Sequence, residues 1–159
     1  MLKYLLIAVL TFSNVLNLLP AYAATYSKVR LKSCYDGDTC RFYINGVNTP
    51  VRFSGIDAPE LRQPYGRESK TAINKLLYGK NIILKCNGQS YQRKVCAVYI
   101  KPNLGSTLID VQEVMVLNGH AWDAPKFSQG KYLQNYVNEF CFRWNNRKGN
   151  AFDTLLLGA

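Results

Sequence analysis

From Lys28 to Ile100 the chain is a succession of short apolar and β-branched runs, each cut off by a turn signal. Lys28 to Cys34, Cys40 to Ile44, Val51 to Ile56, Asn81 to Cys86 and Val95 to Ile100 read as strands, separated by Asp-Gly, Asn-Gly and Asn-Gly-Gln turns. Three other stretches carry a helical period. Ala72, Ile73, Leu76 and Leu77 form one apolar stripe, ended by Gly79. Asp110 with Glu113 has the spacing of a capping box, followed by Val114 and Leu117 and closed by Gly119. A third helix is expected from about Lys131 to Asn145, with Tyr132, Tyr136 and Phe140 at four-residue spacing beside Val137, Cys141 and Trp144. Aromatic stripes at this spacing usually pack inward, so these rings read mainly as core and not as base-stacking platforms.

Five short strands with helices inserted and appended indicate an α+β domain that is mainly β barrel: a five-stranded OB-type barrel with three helices, whose face commonly binds nucleic acid. A length of 159 residues supports one such domain. With 48% hydrophobic and 19% charged residues the chain can bury a core, and no repeat, linker or low-complexity tract interrupts it.

Met1 to Ala23 reads as a cleaved secretory signal. Lys3 supplies the early positive charge, an apolar stretch follows from Tyr4 to Leu19, and Pro20 with Ala21-Tyr22-Ala23 forms a small-residue exit. The alternative is an uncleaved membrane anchor, against which stand Thr11, Ser13, Asn14 and Asn17 within the apolar stretch. The expected organisation is therefore a signal over 1–23 and a single domain over 24–159, with its core at about 28–152. Such a chain is exported, to a periplasm or beyond, and keeps no stable membrane association once the signal is removed.

The formal net charge is +10, from 20 Lys plus Arg against 10 Asp plus Glu, and cleavage would remove only Lys3, so the partner is expected to be anionic. All five cysteines follow the signal, in a chain bound for a compartment where disulfides persist. No C-x-x-C pair points to zinc or to a thioredoxin-like centre. The local candidates are Cys34 with Cys40 and Cys86 with Cys96, leaving Cys141 free. Cys34 and Cys40 oppose each other only if Asp36-Gly37-Asp38 is a three-residue turn; a two-residue turn would put them on opposite faces.

Four of the ten acidic residues fall in two clusters, Asp36-Gly37-Asp38-Thr39 and Asp57-Ala58-Pro59-Glu60. Crowded carboxylates repel unless a cation or arginines compensate them. A single histidine, His120, excludes paired-imidazole catalysis and zinc sites of the H-E-x-x-H type. Hard oxygen donors without imidazole favour calcium or magnesium. Asp-Gly is itself a strong turn signal, which accounts for Asp36 but for neither Asp38 nor the second cluster. Arg52, five residues before Asp57, and Arg93, at the start of the last strand, add guanidinium groups. These can grip two phosphate oxygens and stabilise the charge that develops on a five-coordinate phosphorus.

Val51-Arg52-Phe53-Ser54-Gly55-Ile56-Asp57-Ala58-Pro59-Glu60, preceded by the Asp38 of Asp-Gly-Asp-Thr and followed by Tyr91-Gln92-Arg93, resembles staphylococcal nuclease and its secreted relatives. Either motif alone would be weak; together they are specific, and the likeness runs from about Lys28 to Phe152. The resemblance implies an OB-fold barrel with three helices and a calcium-dependent nuclease acting on DNA and RNA with little sequence preference. It assigns calcium to the Asp38 and Asp57 side chains and the Ala58 carbonyl. Glu60 would position or deprotonate the attacking water, Arg52 and Arg93 would hold the scissile phosphate, and Tyr91 would lie near the substrate phosphates. Tyr65-Gly66 and Glu68 match the start of the family's first helix, and Gly119-His120-Ala121-Trp122 its segment after the second.

The chain departs from the family pattern in three places. Gln92 replaces the glycine of the usual Tyr-Gly-Arg, so the turn presenting Arg93 loses a permissive residue. Pro125 stands where a second substrate-contacting tyrosine is expected, and Phe127 replaces a nearby tyrosine. The loop after Glu60 and the turn before Tyr91 are also shorter than in the type protein. Two functions follow from different classes: a monomeric, exported, calcium-dependent nuclease, or a catalytically inert OB-type module that binds nucleic acid. A binding module has no need of Asp38, Arg52, Asp57, Glu60 and Arg93 together, which favours the enzyme.

Overall fold

The computed structural model describes residues 23–103 and 105–145, with side chains through Cys141. The expected signal up to Tyr22, the end of the expected domain from residue 146, and the side chain of Trp144 lie outside the described residues.

Five strands make the barrel: β1 (Ala24–Cys34), β2 (Thr39–Ile44), β3 (Val47–Phe53), β5 (Ile82–Ser90) and β6 (Arg93–Ile100). Two-residue strands β4 (Ile56–Asp57), β7 (Ile109–Asp110) and β8 (Trp122–Asp123) complete the set. The barrel order is β3-β2-β1-β5-β6, and it closes where β3 and β6 pair in parallel, Val51 with Lys94, Arg52 with Val95 and Phe53 with Cys96. Closure pairs the end of β3 with the start of β6 and brings two strands far apart in sequence side by side. The five-stranded α+β barrel expected from the sequence is the fold.

The third strand differs from its expected span of Val51 to Ile56. Asn45 and Gly46 both take positive φ, 51° and 83°, as a two-residue type I′ hairpin turn requires. Ile44 therefore pairs directly with Val47 and the strand starts there. It ends at Phe53 because Gly55, at φ 76°, turns the chain, and Ile56 pairs instead with Asp123 of β8.

The helices are α1 (Gly66–Leu77), α2 (Val111–Leu117), the single-turn α3 (Pro125–Ser128) and α4 (Leu133–Asn145). The short α3 is additional to the three expected. Asp110 caps α2, its Oδ1 accepting from the backbone N–H of Gln112 (3.0 Å) and Glu113 (3.2 Å). Glu113 instead accepts from Asn135 Nδ2 of α4 (3.2 Å), tying the two helices together. One hydrophobic cluster fills the barrel with Phe42, Val51, Phe53, Leu84 and Val98, and takes in Ile73 and Leu77 of α1 and Val111, Met115 and Val116 of α2.

The aromatic stripe around α4 is only partly core. Tyr132 is 3% exposed, whereas Phe140 is 50% exposed and Val137 is also exposed. Four-residue steps advance about 40° around a helix of 3.6 residues per turn, so two steps carry Phe140 off the inward face. Glu139, not Phe140, takes the buried position.

Candidate active site

The site is built at one rim of the barrel from the turn β1–β2, the end of β3, β4 and the start of β6. Tyr35 N–H donates to the Thr39 carbonyl (2.8 Å), which closes Asp36-Gly37-Asp38 as a three-residue turn. Cys34 accordingly pairs with Cys40 across the strands and the two form a disulfide beneath it. Asp36 Oδ1 accepts from the N–H groups of Asp38 (3.0 Å) and Thr39 (2.7 Å), so Asp36 serves the turn, as its Asp-Gly context suggested. Gly37 packs closely against two other parts of the site. A Cβ there would lie 1.9 Å from Ser69 Oγ of α1 and 2.8 Å from the Ala58 Cβ.

Asp38 is 3% exposed. One carboxylate oxygen accepts the Ala58 N–H (2.7 Å); the other accepts the Thr39 hydroxyl (3.0 Å) and meets Arg52 Nη1. Arg52 Nη2 donates to Asp57 Oδ1 at 2.6 Å, so one guanidinium joins a buried and a half-exposed carboxylate. The barrel sets this geometry: Arg52 is the cross-strand partner of Thr39 on β2 and of Val95 on β6. Burial pushes the Asp38 carboxyl up to about 7, with Asp36 adding to it, while Arg52 and the hydrogen bonds from Thr39 and Ala58 pull the other way. Arg93 joins through Thr39, its Nη1 lying 3.4 Å from the Thr39 hydroxyl.

The other expected site residues, Glu60 and Tyr91, are exposed and form no hydrogen bond or ion pair with this cluster among the described residues. Glu60 lies in the loop between β4 and α1 with its side chain exposed, and it forms no ion pair among the described residues. Its backbone is fixed: Glu60 N–H donates to Gln63 Oε1 (2.8 Å), its carbonyl accepts from Gln63 N–H (2.8 Å), and Gly66 packs on it. A Cβ at Gly66 would fall 2.0 Å from the Glu60 carbonyl oxygen, so only glycine lets α1 begin this close. Tyr91 is 90% exposed at the tip of β5–β6, its ring turned to solvent. This tip does not need glycine at position 92, because the positive φ (55°) falls on Tyr91. The Gln89 amide holds it by donating to the Tyr91 carbonyl (3.0 Å), and a second disulfide, Cys86–Cys96, closes the hairpin below. Cys141 is free and exposed.

Two features escaped sequence reasoning. Thr39 links Asp38 to Arg93, a role concealed in a motif read for its carboxylates. Beside Arg52 lies a cavity of about 230 Å³ walled by Ser54, Ser90, Val95 and Phe127, whose signal was the unusual Phe127. His120 is structural: its Nδ1 lies 3.1 Å from the Tyr65 hydroxyl, the rings stack, and its carbonyl accepts from Ser69 Oγ (2.6 Å). Burial lowers its pKa.

The donor set suits a hard divalent cation. Asp38 and Asp57 converge closely enough to share one guanidinium, both offer oxygen, and the Ala58 carbonyl is adjacent in sequence. Among the described residues no group of three or more His, Cys, Asp or Glu side chains converges on a metal position, so water would complete any such shell.

Residues 50–140, more than half of the chain, match the family described as staphylococcal nuclease homologue. The chain belongs to the staphylococcal nuclease family. An uncharacterized endonuclease of Haemophilus influenzae is 32% identical over 139 residues, 86% of this chain and 73% of that protein. A probable staphylococcal-like nuclease of Oryza sativa subsp. japonica is 42% identical over 73 residues, 45% of this chain and 18% of that protein. An uncharacterized endonuclease of Escherichia coli O157:H7 is 29% identical over 111 residues, 69% of each chain. This member of the staphylococcal nuclease family thus spans under a fifth of the rice relative it matches.

Proposed function

We propose that this chain is an exported, monomeric, calcium-dependent nuclease that hydrolyses phosphodiester bonds of DNA and RNA with little sequence specificity. The observation that carries the reading is the Asp38–Arg52–Asp57 cluster with Arg93 beside it, at a barrel rim next to a cavity. Burying an aspartate against an arginine costs desolvation that a plain binding surface has no need to incur. The names of its relatives support a nuclease, and the two disulfides support an oxidising destination reached through a signal at residues 1–23.

In this reading Asp38, Asp57 and the Ala58 carbonyl hold calcium, which when bound supplies a Lewis acid and a template for in-line attack by water on phosphorus. Arg52 binds both carboxylates and also lines the cavity, so a phosphate lodged there lies beside it. Arg93 approaches from β6, and together the two arginines orient the phosphodiester and stabilise the charge that builds on its oxygens. Glu60 takes the proton of the attacking water, reaching in from a loop whose backbone is already fixed. Tyr91 flanks the substrate phosphates from the hairpin tip.

The test is incubation of the purified protein with plasmid DNA and with RNA, in calcium and in chelator. Cleavage of both substrates in calcium alone is expected. Undiminished cleavage in chelator would overturn the metal, and none under any condition would overturn the nuclease.

A further inference from the structure

The barrel wall has an unusual charge distribution. Strands β1, β2, β3, β5 and β6 carry Lys28, Arg30, Lys32, Arg41, Arg52, Lys85, Arg93 and Lys94, and not one acidic residue. Every acid among the described residues sits in a turn, a loop, a helix or a two-residue strand. On β2 the alternation that buries Cys40, Phe42 and Ile44 directs Arg41 and Tyr43 outward. Their neighbours continue the same face: Tyr43 lies between Arg30 of β1 and Asn48 of β3, and Arg41 between Ser33 and Pro50. Thr39 and Arg52 occupy the next rung of β2–β3. The outer face of β1–β2–β3 is therefore one continuous surface that starts at the candidate site and runs away from it in two-residue steps of about 6.7 Å.

The cations on this surface are held in place. The Arg30 guanidinium carbon lies 5.0 Å from the centre of the Tyr43 ring, and Lys32 Nζ 5.7 Å from the same ring. Lys32 reaches it from a bulge in β1, between Leu31 and Ser33. Arg41 packs over the Tyr35 ring (5.6 Å) and donates from Nε to its hydroxyl (2.5 Å). With its amide oxygen turned toward them, Asn48 accepts from both Lys32 Nζ (3.0 Å) and Arg41 Nη1 (3.2 Å). Among the described residues Arg30, Lys32 and Arg41 form no ion pair. Three cations fixed by aromatic rings and an amide, with no carboxylate to neutralise them, leave their charge directed at something outside the protein.

We propose that this face is a track for the backbone of a single nucleic-acid strand, with Arg41 and then Arg30 and Lys32 binding successive phosphates on one side of the scissile position. The proposal rests on the nuclease reading for the position of the cleaved phosphate. A two-residue rung is close to the spacing of phosphates along an extended single strand. A cation already ordered against a tyrosine also loses less conformational freedom when a phosphate arrives. Recognition here is through charge and spacing, so it carries no base preference.

The experiment compares the wild type with two charge-matched variants: R30Q/K32Q/R41Q on the track, and K70Q/K75Q/K80Q on α1 and the turn beyond it. R30Q/K32Q, which leaves the Arg41–Tyr35 bond in place, guards against a folding effect. Binding of a labelled single strand of roughly 20 nucleotides, longer than one barrel covers, is measured in chelator across a salt series. Cleavage of the same strand and of a dinucleotide is then measured in calcium. The track variant is expected to bind at least about tenfold more weakly at low salt, with its log–log salt slope shallower by roughly 2, near 0.7 for each of three lost phosphate contacts. Its KM for the long strand should rise by the same factor while dinucleotide turnover stays unchanged, and R30Q/K32Q should show about two thirds of the slope change. An unchanged slope, an equal loss in the α1 variant, or an equal loss on the dinucleotide overturns the track. If the wild type binds with the full slope and cleaves nothing, the nuclease reading falls and the track stands.

Discussion

Replacing Asp38 with asparagine should stabilise the metal-free protein at pH 8, even though it destroys the candidate site. The carboxyl is almost wholly buried, and its pKa is raised from 3.8 to about 7. A group whose pKa is higher in the folded state binds its proton more tightly there. Its contribution is thus fully favourable below about pH 3.8 and is lost as pH rises through about 7. Three pKa units at 1.36 kcal/mol each amount to roughly 4 kcal/mol across that window. This is an upper bound, because asparagine leaves Arg52 only the half-exposed Asp57 as a partner. His120, with its pKa lowered by burial, acts with the opposite sign, destabilising the protein as pH falls, but does so equally in both proteins and cancels. Urea denaturation in chelator at pH 4, 6 and 8 supplies the measurement. The stability of wild type minus that of the Asp38→Asn protein should become less favourable by up to about 4 kcal/mol from pH 4 to pH 8. Saturating calcium should then stabilise the wild type alone at pH 8. A difference that stays flat across pH would refute the argument that desolvation outweighs Arg52.

If Glu60 handles the proton of the attacking water, Glu60→Gln should lower turnover by roughly a hundredfold or more with binding intact, as steady-state kinetics beside binding assays would show. Arg52→Lys should do the same, because a lysine cannot span Asp38 and Asp57 as the guanidinium does; near-normal turnover in either would reassign that residue. Gly37→Ala must displace Ser69 or Ala58, and a loss of about 1–3 kcal/mol in chemical denaturation, with weakened calcium affinity, is expected. Non-reducing peptide mapping should find Cys34–Cys40 and Cys86–Cys96 with Cys141 free, and mild reduction should lower turnover before circular dichroism shows unfolding; five free thiols would reject that scheme.

Local chemistry made the barrel legible. Asn45-Gly46 announces its hairpin because few other pairs adopt two consecutive positive φ angles, and Asp110 announces α2 because its carboxylate satisfies N–H groups at the helix start. Asn48 and Pro50 concealed the first half of β3, since both residue types are depleted in strands and the pairing with β2 decides the outcome. The residues proposed for the site came from short motifs, which do not show which of them touch. Arg52 meets Asp38 because β3 lies between β2 and β6 in a closed barrel, a consequence of long-range pairing that no local pattern encodes. The solvent-exposed position of the Glu60 side chain was equally hidden, because a loop conformation decides it. Phe140 was misplaced by counting in fours on a helix that turns every 3.6 residues.

The two disulfides have a meaning for the cell that makes this protein. Cys34–Cys40 lies under the turn that carries Asp38, and Cys86–Cys96 under the hairpin that presents Arg93. Thiols stay reduced where the chain is synthesised, beside the producer's own genome and transcripts, and pair only in oxidising surroundings. If the chain is the exported nuclease proposed above, a candidate site tied together by those bonds is at its least organised where stray cutting would be lethal and at its most organised once the genome is out of reach. On the proposed reading of an exported nuclease, the covalent chemistry that steadies the fold doubles as a safety catch, released only outside the cell.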